Sequence, residues 1–482
     1  MINFQDYLYY DIEKPLIFNS GLFLFFFLGF LFVFILFRKQ RIARAVWTIL
    51  FSLFFYYKSS GFYFWILILS TIVDYTLGIY IYNSKKNKRL IYLIVSIVSN
   101  LGILVYFKYT NFFIDIINSF GTNYESLDIF LPVGISFYTF QTLSYSIDVY
   151  RGKLTPEKNI LNFAFFVTFF PQLVAGPIVR ASEFLPQIRL KLKLSNHNLS
   201  KAVFLIGSGL FKKAIISDYI SVNYVDRVFD NPLLYSGVEN LIGVYAYALQ
   251  IYCDFSGYSD IAIGLALLLG FYLPINFDSP YQSSSVTEFW RRWHISLSRW
   301  LKDYLYITLG GNRKGLIRTY INLSITMILG GLWHGANWKF ILWGIMHGLM
   351  LVIEKIIKSV ISIPKNIIFR ILGFLLTFNF VSFCWIFFRA DSYSKALDIV
   401  FQIKNNFNLL HSLQVASSYP YIILMIIIGY ILHMIPRKFE FHLINFIENS
   451  PLYIKAFFLA LICWIIVQVS GKDVVPFIYF QF

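Results

Sequence analysis

Residues 15–37 read PLIFNSGLFLFFFLGFLFVFILF, a stretch without one ionisable side chain, and Arg38, Lys39, Arg41 and Arg44 follow directly. A helix needs about 20 apolar residues to cross a bilayer. Hydrocarbon offers backbone groups no partner, so such a segment satisfies its own hydrogen bonds as a helix. The stretch is too long for a signal-peptide core and has acids before it, Asp6, Asp11 and Glu13. It is expected to stay in the mature protein.

Similar stretches recur at 90–107, 129–147, 159–179, 261–277, 371–388, 419–435 and 456–470. Counting on hydropathy gives roughly eleven to thirteen membrane segments. The 482 residues are 58% hydrophobic, 20% aromatic and only 14% charged, against about 25% charged in soluble domains. Mean hydropathy is +0.64. The fold class expected is an all-α, multi-pass integral membrane protein, with no soluble domain left over. Formal net charge is +16, but the bases sit in short loops between apolar segments, which is the positive-inside pattern and not a nucleic-acid surface. Cys253, Cys384 and Cys463 are widely spaced in apolar surroundings and form no metal or redox motif.

There is no repeat or low-complexity linker, and residues 1–482 read as a single membrane domain. Its two ends are plain apolar spans, whereas its middle carries polar and helix-breaking residues. LPVGISF (131–137) and FPQLVAGPIVR (170–180) put Pro132, Gly134, Pro171, Gly176 and Pro177 at membrane depth. Backbone groups freed there need protein or a watery cavity around them. Asp254, Ser256 and Asp260 in QIYCDFSGYSD (250–260) point the same way. Ionisable groups in a span face the bundle interior, where they serve either a substrate or the hydrogen bonds between helices.

From Ser285 the chain reads SVTEFWRRWHISLSRWLKDYLYITLGGNRKG. Ser285 and Glu288 have capping-box spacing, so a helix is expected to start there. On one continuous helix Trp290, Trp293, His294, Leu297, Leu301 and Tyr304 share a face, and Arg291, Arg292, Arg299 and Lys302 share the other. The basic face, with Arg313 in the following loop, suits the phosphates of a nucleotide-bearing acyl donor. It equally suits anchoring to anionic lipid.

GGLWHGANWKFILWGIMHG (330–348) then places His334 and His347 inside an apolar segment. Gly331/Gly335 and Gly344/Gly348 have the small-xxx-small spacing of closely approaching helices. A histidine in a span requires a partner or water. On an unbroken helix the two histidines lie about 220° apart and would not share a site. Neutral imidazole can take a proton from a hydroxyl as its oxygen attacks a thioester. No Gly-x-Ser-x-Gly elbow or Walker-type loop is present.

Together, LPVGISFYTFQTLSYSIDVYRG, FFPQLVAGPIVR, QIYCDFSGYSDIAIGLALLLGF, EFWRRWHISLSRWLKDYLYITLGGNRKG and GLWHGANWKFILWG resemble the bacterial branch of the membrane-bound O-acyltransferases. Within it the resemblance is to membrane subunits of alginate and peptidoglycan O-acetyltransferase systems, and more distantly to the teichoic-acid D-alanylation transporter. It implies a helical ring around a central tunnel, with a catalytic core at about residues 129–358. It places the family's histidine on His334 and its partner position, histidine or asparagine, on His294. His347, Asp254, Trp290, Arg291, Arg292 and Arg313 become candidate substrate contacts. Phe477-x-Tyr479-x-x-Phe482 is similar to a terminal motif of this branch, which implies that the Tyr479 hydroxyl relays the acyl group. Composition alone reads the same residues as an interfacial aromatic belt.

The activity implied is transfer of acetyl from cytoplasmic acetyl-CoA, without a metal, towards an extracytoplasmic polysaccharide such as peptidoglycan or alginate. An extracytoplasmic acetyltransferase partner and a bacterial inner (plasma) membrane location are implied with it. The alternatives are transfer of another acyl group, such as D-alanine from a carrier protein, and a non-catalytic export or assembly scaffold.

Overall fold

Ser20 starts the first helix by accepting from the Phe23 N–H at 3.1 Å, and α1 runs Gly21–Leu36, ending before the basic pair. The computed structural model describes residues 8–12, 15–174, 176–192, 194–362, 364, 366–469 and 477–478, and all regular structure among them is helical. They form two units by contact: residues 1–206 with 261–274 and 471–481, and residues 207–260 with 275–470 and 482.

Among the described residues six helices are long and apolar enough to cross a membrane, or seven if a pair that meets at 95° counts as one span. This is fewer than hydropathy suggested, because several apolar stretches are not single helices. Residues 159–179 hold the short helix Ile160–Thr168 and a second turn of helix, Phe170–Leu173. Residues 129–134 precede a helix that begins only at Ile135.

In the first unit α2 (Arg41–Ser60), α3 (Phe64–Asn83), α4 (Lys86–Leu104) and α5 (Ile135–Tyr150) accompany α1. α1 buries Phe23, Phe27, Phe30 and Phe34 along one stripe. Phe170 sits among Phe23, Phe27, Phe30, Phe51 and Phe55, with ring centres 5.0 to 6.3 Å away. A polar knot ties α3, α4 and α5: buried Asp74 accepts from Asn100 Nδ2 at 2.9 and 2.8 Å and from Ser96 Oγ at 2.7 Å, and Thr142 donates to Asn100 Oδ1 at 2.9 Å. The expectation that 131–137 and 170–180 turn inward holds for Pro132, Pro171, Gly176 and Pro177, all buried. Gly134 has φ +74°, and a Cβ there would stand 2.4 Å from the Leu173 carbonyl oxygen.

The second unit holds His294, His334 and His347. The helix Gly237–Leu268 (α6) enters it through residues 237–260. Beside it the chain turns as a π-helix over Phe211–Ser217, and two successive lysines on it address one neighbour. Lys212 pairs with Asp260 and Lys213 with Asp254, and Lys213 also reaches Asp218 at 2.8 Å. Next come α7 (Val286–Arg292), α8 (Ile295–Trp300), α9 (Leu316–His334), α10 (Trp338–Val360), α11 (Ile367–Arg389) and α12 (Pro420–Met434). α9 and α10 are neighbours because glycine leaves no side chain between them: a Cβ on Gly331 would lie 2.2 Å from the Phe340 carbonyl oxygen and 3.2 Å from the Gly344 Cα. The small-residue spacing thus does what it predicts.

Candidate active site

A helix starts at Ser285 as expected, with the Glu288 carboxylate turned back one residue beyond the N-cap. Ser285 Oγ accepts from the Glu288 N–H at 3.2 Å, and Glu288 Oε2 accepts from the Ser284 N–H at 2.9 Å. The continuous amphipathic helix expected beyond it does not form. α7 stops at Arg292, Trp293 is extended, and His294 takes φ +43° and ψ +56° before α8 begins at Ile295. His294 and Ser279 are the described non-glycine residues in the left-handed region. Such a conformation is uncommon outside glycine and persists where surrounding structure holds it. The break turns His294 inward to 0% exposure, against the edge of Phe255 at 4.6 Å between ring centres. Burial pushes its imidazole down to about 3, which favours the neutral ring.

His334 is the last residue of α9 and is 3% exposed. Gly335 is extended, and Asn337 starts α10 by accepting from the Lys339 N–H at 3.0 Å. The rings of Trp333, Trp343 and Phe388 stand around His334 at 5.0, 5.2 and 5.3 Å, and that of His294 at 6.5 Å.

This break also revises the placing of His347, whose separation from His334 was reckoned on an unbroken helix. One turn along α10 from Trp343, His347 lies on the same face, with ring centres 4.7 Å apart. Trp343 therefore touches both histidines. His347 is fully buried, and its Nδ1 accepts from Trp290 Nε1 at 3.3 Å. Trp290 belongs to the same aromatic wall, 5.6 Å from Trp343.

The other candidate contacts divide. Arg291 and Arg313 are exposed, as a phosphate ligand has to be. Arg292 is engaged by Glu288 at 2.9 Å and by the Asp278 carbonyl at 3.1 Å. Asp254 is 3% exposed and paired with Lys213. Tyr479 lies outside the described residues.

The residues alone did not point to Phe388 and Trp385, which close the wall from α11 with ring centres 5.2 Å apart. His433 was missed as well. Its Nε2 accepts from the Tyr281 N–H at 3.1 Å and its carbonyl from Gln282 Nε2 at 2.9 Å, so α12 grips the loop leading into α7. A histidine inside an apolar span was the available signal.

Two buried histidines in an aromatic enclosure, with exposed arginines on neighbouring segments, can remove a proton from a hydroxyl and stabilise an oxyanion. Residues 157–391, which contain both histidines, match the MBOAT, membrane-bound O-acyltransferase family. The peptidoglycan O-acetyltransferase of Helicobacter pylori is 35% identical, the match covering 97% of this chain and 98% of that protein. The probable alginate O-acetylase AlgI of Pseudomonas aeruginosa is 44% identical over 68% of this chain and 63% of its own length. The teichoic acid D-alanyltransferase of Streptococcus thermophilus is 33% identical over 54% of this chain and 68% of that protein. This multi-pass membrane protein, with His294 and His334 facing one another in its second unit, belongs to the membrane-bound O-acyltransferase family and is an O-acyltransferase.

Proposed function

We propose that the protein takes acetyl from acetyl-CoA on the cytoplasmic side of a bacterial inner membrane and passes it outward for O-acetylation of a polysaccharide, with peptidoglycan as the first acceptor to test. The observation that carries this reading is the 6.5 Å between the ring centres of His334 and His294. That is about twice the 3–3.5 Å near-attack separation of reacting atoms, close enough for both rings to act on one small carbonyl group. His334 removes the proton from the attacking hydroxyl, the new C–O bond forms, the C–S bond breaks, and the proton passes to the departing CoA thiolate. His294, neutral, donates to the carbonyl oxygen as it becomes negative. The exposed Arg291 and Arg313 hold the donor's phosphates.

Peptidoglycan comes first because the relative of that activity matches along nearly the whole chain, whereas the alginate relative matches over 68% of it. In this scheme Tyr479 accepts the acetyl as an aryl ester and yields it to an extracytoplasmic transferase. Phenol, with a pKa near 10, is a better leaving group than a sugar alkoxide.

The test is turnover of acetyl-CoA by purified protein, beside a parallel assay with D-alanyl carrier protein. His334→Ala should lose turnover by about a hundredfold or more while remaining monodisperse in detergent. Near-normal turnover in that variant would remove His334 from the chemistry, and activity with the carrier protein alone would replace the donor.

A further inference from the structure

His294 departs from the helix on either side of it, and the segment holding it there is the loop 276–279. Two backbone bonds join them: the Asp278 N–H donates to the Arg292 carbonyl at 3.0 Å, and the Ile295 N–H donates to the Asn276 carbonyl at 2.9 Å. A regular antiparallel pairing that matches 278 with 292 would next match 276 with 294. Here it matches 276 with 295, so Phe277 stands opposite two residues, Trp293 and His294. One extra residue in a paired segment is the geometry of a bulge, which bends the chain and re-aims a side chain. The re-aimed residue is His294.

The side chain of Asn276 completes the hold. Its Oδ1 accepts from Ser296 Oγ at 2.6 Å and from the Ser296 N–H at 3.4 Å. Its Nδ2 donates to Ser259 Oγ on α6 at 3.1 Å. Asn276, Ser259 and Ser296 are all buried, so water does not compete for these bonds. Ser259 lies one helical turn from Phe255, whose ring meets His294 edge-on. α6 thus reaches His294 twice, once through Phe255 and once through Asn276.

We propose that Asn276 is a positioning residue for acyl transfer, holding the left-handed turn that presents His294 to His334. The inference rests on the reading that His294 acts in catalysis. Asn276 touches neither donor nor acceptor and acts through the turn alone.

The test is a double-mutant cycle on purified protein, following release of CoA from acetyl-CoA. Asn276→Ala and Ser296→Ala are each made in the native background and in His294→Ala. Ser296→Ala removes the 2.6 Å bond and keeps the Asn276 side chain, and it carries the test if Asn276→Ala does not fold. In the native background each should lower kcat, Asn276→Ala by about tenfold, with KM for acetyl-CoA within about twofold. In the His294→Ala background the further loss should vanish, because residues acting through one another are not additive.

The same fractional loss in both backgrounds, or a raised KM with kcat preserved, would overturn the positioning role while leaving His294 catalytic. Full activity in His294→Ala itself would instead overturn the reading on which the inference stands.

Discussion

His294 and His334 present their rings to one another at 6.5 Å, tilted by 50°, His334 from the end of a helix and His294 from a left-handed turn. The two carry different constraints. His334 sits in helical backbone, whereas His294 must tolerate a left-handed one.

Asparagine enters the left-handed region more readily than most residues, and its amide can still donate. His294→Ala is expected to lose about a hundredfold in kcat and some stability, because it keeps a Cβ in the left-handed turn and vacates the space of a buried ring. His294→Asn should lose less of both. Turnover and thermal melting in detergent decide it, and equal melting of the Ala and Asn variants would show that the turn imposes no backbone cost.

Gly331→Ala puts a methyl 2.2 Å from the Phe340 carbonyl oxygen, where backbone has to move. Overpacking of this kind costs about 1–3 kcal/mol, and the shift pulls on His334 three residues on. Gly102, with nothing within 4 Å, is the control: Gly102→Ala should melt no lower than the native protein. A Gly331→Ala variant that also melts normally would show that α9 and α10 need no close approach.

Arg291→Gln and Arg313→Gln should raise the apparent KM for acetyl-CoA several-fold at low salt and flatten its dependence on ionic strength. Arg292→Gln behaves differently, because its guanidinium already serves Glu288 and the Asp278 carbonyl. It should lower kcat through the loop that holds His294, with KM little changed. An unchanged KM in all three would assign the exposed arginines to lipid.

Tyr479→Phe keeps the ring and removes only the hydroxyl. In cells it should abolish polymer acetylation while protein levels stay normal, and mass spectra of trapped native enzyme should show an acetylated C-terminal peptide. Full polymer acetylation by the variant would exclude the relay.

What the amino-acid order alone determined was the solvent and the vocabulary. Apolar stretches such as 15–37 require a bilayer, and each residue's transfer free energy adds locally, whatever the rest of the chain does. Glycine spacing at 331/335 and 344/348 announced a close helix pair, which Gly331 and Gly344 make while Gly335 lies beyond the end of its helix, and a histidine within an apolar segment marked His334 as costly without a partner or water. Tertiary structure alone decided where helices break. The left-handed turn at His294 opposes local preference and stands on bonds to Asn276 from a distant loop. The break after His334 brings Trp343 of the next helix against it, so that Trp343 meets both His334 and, one turn along its own helix, His347. Lys213 reaches Asp254 from a π-helical stretch that hydropathy does not announce. Hydropathy sums over neighbours in sequence, but a backbone held against its own preference is stabilised by partners that sequence distance does not reveal.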